Sequence, residues 1–168
     1  MTSEGMIRRA RPEEARLLTD LTIRSKAYWG YDYRFMAQAR RQLKISADQI
    51  REHVAFVLEA GGSIQGYYSL DEPDGDNSID VTLENLFVRP EAIGSGVGAR
   101  LLRHAMETAR SSGYSRLILH SDPHAVGFYR KMGAEQIGEA PGMTPGRILP
   151  IMCFDLQRGV LPSEVNEI

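Results

Sequence analysis

The sequence predicts an α+β (mixed α/β) fold, a sheet flanked by helices within one domain over residues 1–168. Three observations predict it. Residues 81–119 read as strand, glycine-rich turn, amphipathic helix and strand. Residues 54–70 read as two apolar strands joined at Gly61-Gly62, the signature of a hairpin. With 168 residues, 42% of them hydrophobic, the chain has the length and apolar content for one core.

The elements follow in order. Residues 6–10 (MIRRA) form a first strand. Arg11-Pro12-Glu13-Glu14 opens a helix, with proline near the first helical position and acids where the helix dipole favours them. Leu17, Leu18, Leu21 and residues 23–27 give that helix a mostly apolar face, and Gly30 ends it. Residues 25–33 (SKAYWGYDY) make an aromatic-rich helix–helix junction. It holds the only tryptophan, Trp29, and three of the seven tyrosines, Tyr28, Tyr31 and Tyr33. The junction reads either as a packed elbow with exposed phenols or as the wall of a substrate cleft.

A second helix covers 35–43, with Met36, Ala39 and Leu43 inward, and Ser46 caps a short turn running to Arg51. Strands at 54–59 and 64–70 make the hairpin. Residues 71–78 (DEPDGDNS) form a polar loop. Asp71, Asp74 and Asp76 have the spacing of a calcium loop, but its sixth-position glycine and terminal glutamate are missing, so no metal is expected. Residues 81–88 (VTLENLFV) form a strand that Pro90 ends, because proline has no N–H for a ladder. Val97, Leu101, Leu102, Ala105, Met106 and Ala109 then recur at helical spacing, and Gly113 is the C-cap. Leu117-Ile118-Leu119 is the next strand, followed by a short helix ending in Phe128-Tyr129-Arg130-Lys131-Met132-Gly133. Residues 135–138 form a short strand, 139–147 a loop with two prolines and two glycines, and 148–156 the last strand. Pro150 marks that last strand as an edge strand or as bulged at its start.

The segment Ile93-Gly94-Ser95-Gly96-Val97-Gly98 puts three alternate glycines at the opening of a helix. A backbone without Cβ atoms can approach a phosphate closely, and the first helical N–H groups have no intrahelical partner. The segment is therefore either an anion cradle or a plain glycine turn. Gly94-x-Gly96-x-x-Ala99 also satisfies a dinucleotide fingerprint, with Asp122 near its acidic position. That fold needs its strand to run directly into the first glycine, and residues 89–93 intervene here.

Leu86-Phe87-Val88-Arg89-Pro90, then Ile93-x-x-Gly96-x-Gly98, then Phe128-Tyr129-Arg130-Lys131-Met132-Gly133-Ala134 resembles the GNAT superfamily of N-acetyltransferases in order and spacing. The resemblance is strong over residues 80–140 and looser elsewhere. Three positions depart from the pattern: Ile93 where arginine or glutamine is usual, Ser121-Asp122 where asparagine is common, and Ala134 where an aromatic residue is common.

The resemblance implies a GNAT-like central mixed sheet, mostly antiparallel, with strands four and five parallel. It implies acetyl-CoA as co-substrate and no metal. Ile93, Gly94, Ser95, Gly96, Val97, Gly98 and Ala99 would form the pyrophosphate cradle. The backbone of Phe87 and Val88 would pair with the pantetheine arm like an added strand. Arg89, Arg100 and Arg103 would meet adenosine phosphate oxygens, or would be solvated surface arginines. Trp29, Tyr31 and Tyr33 would line the acceptor site. Tyr129 stands at the family's general-acid position, and a backbone N–H near Val88 would be the oxyanion donor. An ordinary amine with a pKa of about 10 must lose a proton before it attacks. Glu84, His120 or water would take that proton. His104 and His124 read as helix-surface residues, and Cys153 as buried and not a nucleophile.

The resemblance thus points to transfer of an acetyl group to a primary amine of a small molecule or peptide by direct attack. Two other readings stay open: a non-catalytic acyl-CoA-binding sensor and an NAD-binding oxidoreductase. Charged residues make up 25% with a net charge of −2, which gives no reason to expect nucleic acid or an anionic membrane surface as partner. There is no apolar run of membrane-spanning length. The first residues, Met-Thr-Ser-Glu-Gly, lack a signal pattern, and one cysteine allows no intrachain disulfide, so a cytoplasmic protein is expected. By analogy, a homodimer through the edge of the last strand is also expected.

Overall fold

The computed structural model describes residues 5–75 and 78–158. Its strands are β1 (Met6–Arg9), β2 (Val54–Ala60), β3 (Ser63–Asp71), β4 (Asp80–Val88), β5 (Arg116–His120), β6 (Glu135–Pro141) and β7 (Ile148–Asp155). Its helices are α1 (Ala15–Ala27), α2 (Tyr33–Gln42), α3 (Ala47–Glu52), α4 (Val97–Ser111) and α5 (Val126–Lys131). The seven strands form one sheet in the order β1-β2-β3-β4-β5-β7-β6. β4 and β5 are parallel, with Asp80, Val81 and Thr82 opposite Arg116, Leu117 and Ile118. The pairs β1–β2, β2–β3, β5–β7 and β6–β7 are antiparallel. This is the mixed, mostly antiparallel sheet that the family resemblance implies.

The chain divides into two compact units. The first runs up to Leu70 and again from Asn85 to Leu101. Its core joins Leu18 and Leu21 of α1 with Ile50, Val57, Ile64 and Tyr67, and Phe87 of β4 packs against that cluster. One polar pair is sealed inside it. Thr22 Oγ1 donates to the Leu18 carbonyl at 2.7 Å and lies 2.5 Å from the Tyr67 hydroxyl, so both buried hydroxyls have partners. Asp32 caps α2 by accepting from Phe35 N at 2.8 Å, which starts that helix two residues earlier than apolar spacing suggests. Ser46 and Gln49 form a reciprocal capping box on α3. Arg8 bridges Glu14 and Glu59, joining β1 to β2 and to the 3-10 turn Pro12–Glu14.

The second unit comprises Asp71–Glu84 and the chain from Leu102 onward. Leu102, Ala105, Met106, Ala109, Leu117 and Met152 are all fully or almost fully buried. Arg116 grips Asp80 with two 2.8 Å bonds, clamping the start of β5 to the start of β4. Two expectations are corrected here. β7 is not an edge strand: it lies between β5 and β6, and β6 is at the rim. The irregularity is also on β6, where the register shifts between Gln136 and Gly138. Pro150 is tolerated because the β5 ladder stops one residue away, at His120 opposite Ile151. β6 also runs on to Pro141, opposite Ile148, where the sequence reads as loop. Among the described residues no helix is long and apolar enough to cross a membrane.

Candidate active site

The glycine turn belongs to the first unit. Gly94 and Gly96 have φ of +85° and +91°, a region that costs any residue with a Cβ. Nothing stands within 4 Å of an ideal Cβ at either position, so the backbone angle and not crowding demands glycine. Gly98 differs from them, being already the second residue of α4. Gly96 O accepts from Arg100 N at 3.1 Å, which begins the helix. The N–H groups of Val97, Gly98 and Ala99 therefore precede any intrahelical acceptor and point out of the helix end. The Val97 side chain is buried (3% exposed), so this residue offers a ligand its backbone only. Ser95 is tied back to Ala92 O by both its N–H and its hydroxyl, and Ile93 N bonds Pro90 O at 3.3 Å. The cradle is thus a built turn opening a fifteen-residue helix.

The end of β4 is held in the same unit by a residue that the motif reading passed over. Gly66 of β3 lies against Phe87 and Val88: an added Cβ would meet Phe87 O at 2.8 Å, Leu101 Cδ1 at 2.9 Å and Val88 Cα at 3.3 Å. A lone glycine inside an apolar strand (IQGYYSL) is the sequence signal for such close approach. Phe87 also stacks at 6.1 Å on Tyr67, so its ring packs against the core. Arg89 N donates to Gln65 O at 2.9 Å, so that N–H is not the oxyanion donor. Two of the three arginines expected at phosphate oxygens, Arg89 and Arg100, have protein partners. Arg89 pairs with Glu91, which also holds Arg24, and Arg100 donates to Gly5 O at 3.0 Å.

The aromatic junction resolves into distinct contacts. Tyr31 stacks on Phe35 at 4.0 Å, with Lys26 Nζ 5.3 Å from the Tyr31 ring. Trp29 packs edge-on against Tyr28 at 5.2 Å and is 39% exposed. Tyr33 is 88% exposed and lines a shallow cavity of about 420 Å³ with Arg34, Ala37, Gln38, Arg41 and Gln42. The three expected acceptor residues thus share one junction, and neither Tyr33 nor Trp29 is core.

The remaining candidates lie in the second unit. Glu84 and His120 are both exposed. Each stands two residues beyond the last parallel pair, Thr82 and Ile118, so they project from the same face of the sheet. Tyr129 is buried at 7% exposure, with its ring edge-on to Phe128 at 5.2 Å and to Phe154 at 6.5 Å. Burial, and secondarily the Asp122 carboxylate, raises its pKa above the ordinary tyrosine value. Among the described residues nothing hydrogen-bonds its hydroxyl. Gly133, with φ of +107°, closes α5, and Ala134 N returns to Tyr129 O at 3.0 Å. His124 is exposed, as expected, but His104 is half-buried, and burial lowers its pKa. Cys153 is buried, which raises its thiol pKa and suits an inert packing residue. Asp71 and Asp74 are exposed, and Asp76 lies outside the described residues.

The sequence profile of the Acetyltransferase (GNAT) family matches residues 20–134, and the chain belongs to that family. It is similar to the thialysine N-epsilon-acetyltransferase of Bos taurus, 30% identical over 124 residues, covering 60% of this chain and 71% of that protein. It is also similar to a peptidyl-lysine N-acetyltransferase of Salmonella typhimurium, 28% identical and covering 87% of this chain and 94% of that one. In fold it is similar to the crystal structure of an N-acetyltransferase from Thermoplasma acidophilum in complex with coenzyme A. That likeness has a TM-score of 0.75 at 17% identity and covers 90% of this chain and 99% of the other. The protein is thus an acyltransferase, and its general chemistry is acetyl transfer.

Proposed function

We propose that this protein transfers the acetyl group of acetyl-CoA to a primary amine of a small molecule or a peptide. The observation that carries the reading is the turn from Ile93 to Gly96 and the N–H groups that open α4, a ready site for a pyrophosphate. Phe87 and Val88 supply backbone to the pantetheine arm. The free amine attacks the thioester carbonyl carbon, a C–N bond forms, and the C–S bond breaks. Tyr129 gives its proton to the departing thiolate, and the nitrogen's extra proton leaves to Glu84, His120 or water. Trp29, Tyr31 and Tyr33 contact the acceptor. The relatives support an amine acceptor, since the bovine and Salmonella proteins are named for thialysine and for peptidyl-lysine. Direct transfer needs no metal. The single, buried Cys153 suits a reducing cytoplasm. A homodimer formed by strand pairing would use a rim strand, β1 or β6.

The test pairs binding with turnover. Acetyl-CoA and CoA should raise the melting temperature and NAD should not, since a ligand of the folded state stabilises it by mass action. Thiol release from acetyl-CoA with thialysine or a lysyl peptide should then exceed release to water. Binding of CoA with no turnover of any amine would make the protein a sensor. Absence of any shift with either CoA species would defeat the reading.

A further inference from the structure

We propose that Asp122, braced by Arg147, is a positioning residue that fixes the start of α5 and with it the phenol of Tyr129. The inference rests on the reading of Tyr129 as proton donor. α5 has six residues, too few to be stable by its own hydrogen bonds, so its placement comes from its ends. Its far end is closed by Gly133. Its near end begins at the 3-10 turn Pro123–Ala125, which Asp122 caps.

Asp122 Oδ1 accepts from His124 N at 2.9 Å, and His124 Nδ1 stands 2.9 Å from the same oxygen. Arg147 Nη2 donates to Oδ2 at 3.3 Å. The Asp122 and Arg147 side chains are only 14% and 18% exposed, so solvent screens this pair less than an ordinary surface ion pair. Arg147 comes from the turn between β6 and β7. It folds back over Gly142, where an added Cβ would stand 3.1 Å from both its Cγ and its Cδ. Gly142 N bonds Arg147 O at 2.7 Å, and Arg147 N bonds Thr144 O at 3.0 Å, so the turn holds the guanidinium in place. The residue before Asp122 is fixed as well: Ser121 is buried, and its N–H donates to Pro150 O at 2.8 Å. The entry to α5 is thus set from the end of β5, from β7 and from the β6–β7 turn together. A methyl group at 142 would press on the stem of Arg147, so the third of these is tightest with glycine there. A proton donor displaced by about an ångström loses on the order of 100-fold in rate, so the brace acts on turnover before it acts on binding.

The experiment measures thiol release from acetyl-CoA, with thialysine or with water alone as acceptor, for the wild type, Asp122→Ala, Arg147→Gln, Gly142→Ala, Tyr129→Phe and the double variant Asp122→Ala/Tyr129→Phe. Asp122→Ala and Arg147→Gln should lower kcat by roughly 10- to 100-fold and leave KM for acetyl-CoA unchanged. Gly142→Ala should behave like Arg147→Gln. In the Tyr129→Phe background Asp122→Ala should cost little more, because both act through one group. Losses that multiply in the double variant, a rise in KM with kcat intact, or no loss in kcat would each overturn the inference. If Asp122→Ala does not melt as a native protein, Asp122→Asn, which keeps the acceptor oxygen, takes its place in the cycle. A fully active Tyr129→Phe sinks the proton-donor reading itself. An impaired Tyr129→Phe beside unimpaired Asp122 and Arg147 variants sinks only the brace.

Discussion

Gly66 and Phe87 approach so closely that a methyl group on Gly66 would stand 2.8 Å from the Phe87 carbonyl oxygen. That contact sets how near β3 comes to the end of β4, where Phe87 and Val88 present their backbone. Gly66→Ala should therefore push the two strands apart. Overpacking of this kind costs about 1–3 kcal/mol, and the β4 end should lose its register for the pantetheine arm. Thermal unfolding should show the loss of stability, and calorimetric titration should show weaker binding of CoA.

Gly94 and Gly96 make a second, separable prediction. Their positive φ angles would cost an alanine about 1–2 kcal/mol each, although there is open space for the methyl group. Gly96→Ala should thus fold with a modest fall in melting temperature. It should bind acetyl-CoA much more weakly, because the turn that aims the first N–H groups of α4 is distorted. Gly98→Ala, in a helical position, should keep the native melt. Equal stability losses at positions 96 and 98 would show that the turn geometry is not the constraint.

Tyr129 carries a pH prediction. Burial, with the Asp122 carboxylate, holds its phenol pKa above the ordinary value. The acid form is then present throughout the range in which an amine acceptor loses its proton. The profile of kcat against pH should rise on the alkaline side and show no fall from this group up to about pH 10. Tyr129→Phe should lower kcat by about 100-fold without weakening CoA binding. A falling alkaline limb near neutrality that Tyr129→Phe abolishes would contradict the raised pKa.

Glu14 carries a prediction about stability. Its hydrogen bonds to Arg8, and a further one from Arg11 N, hold its carboxyl below the usual glutamate pKa of 4.5. A carboxylate with a depressed folded-state pKa contributes stability that is full above the unfolded value and is lost as the pH falls through the folded one. The wild type should therefore lose more stability than Glu14→Gln between pH 6 and pH 3, on the order of 1 kcal/mol. Urea melts across that range would measure it, and parallel losses in the two proteins would refute it.

Much of this was legible in the chain because the signals are local. Val97, Leu101, Leu102, Ala105, Met106 and Ala109 announce one helix face by spacing, and all six are buried. Gly30, Gly94, Gly96, Gly113 and Gly133 all adopt positive φ, where the chain turns or a helix ends. The element order, except for the short helix α3 that reads as a capped turn, and the family motifs followed from such patterns. Pro150 misled because a missing N–H marks where a ladder lacks a bond, and the end of a neighbouring strand meets that need as well as an open edge does. Residues 139–141 misled because Pro141 and Gly142 look like turn residues, while the pairing with β7 that makes them strand is contributed by distant residues.

The sequence by itself determined the order of the strands and of every helix but α3, the buried face of α4, the glycine turn and the family. Each is written in short-range periodicity or in residues whose backbone angles few others can adopt. Only the tertiary structure decided that β6 and not β7 is the rim, that Gly66 sits on the Phe87 carbonyl, and that Arg147 crosses Gly142 to reach Asp122. Each of these depends on residues 5 to 39 positions apart meeting in space. Such meetings are fixed by strand pairing and packing and leave no mark in local spacing.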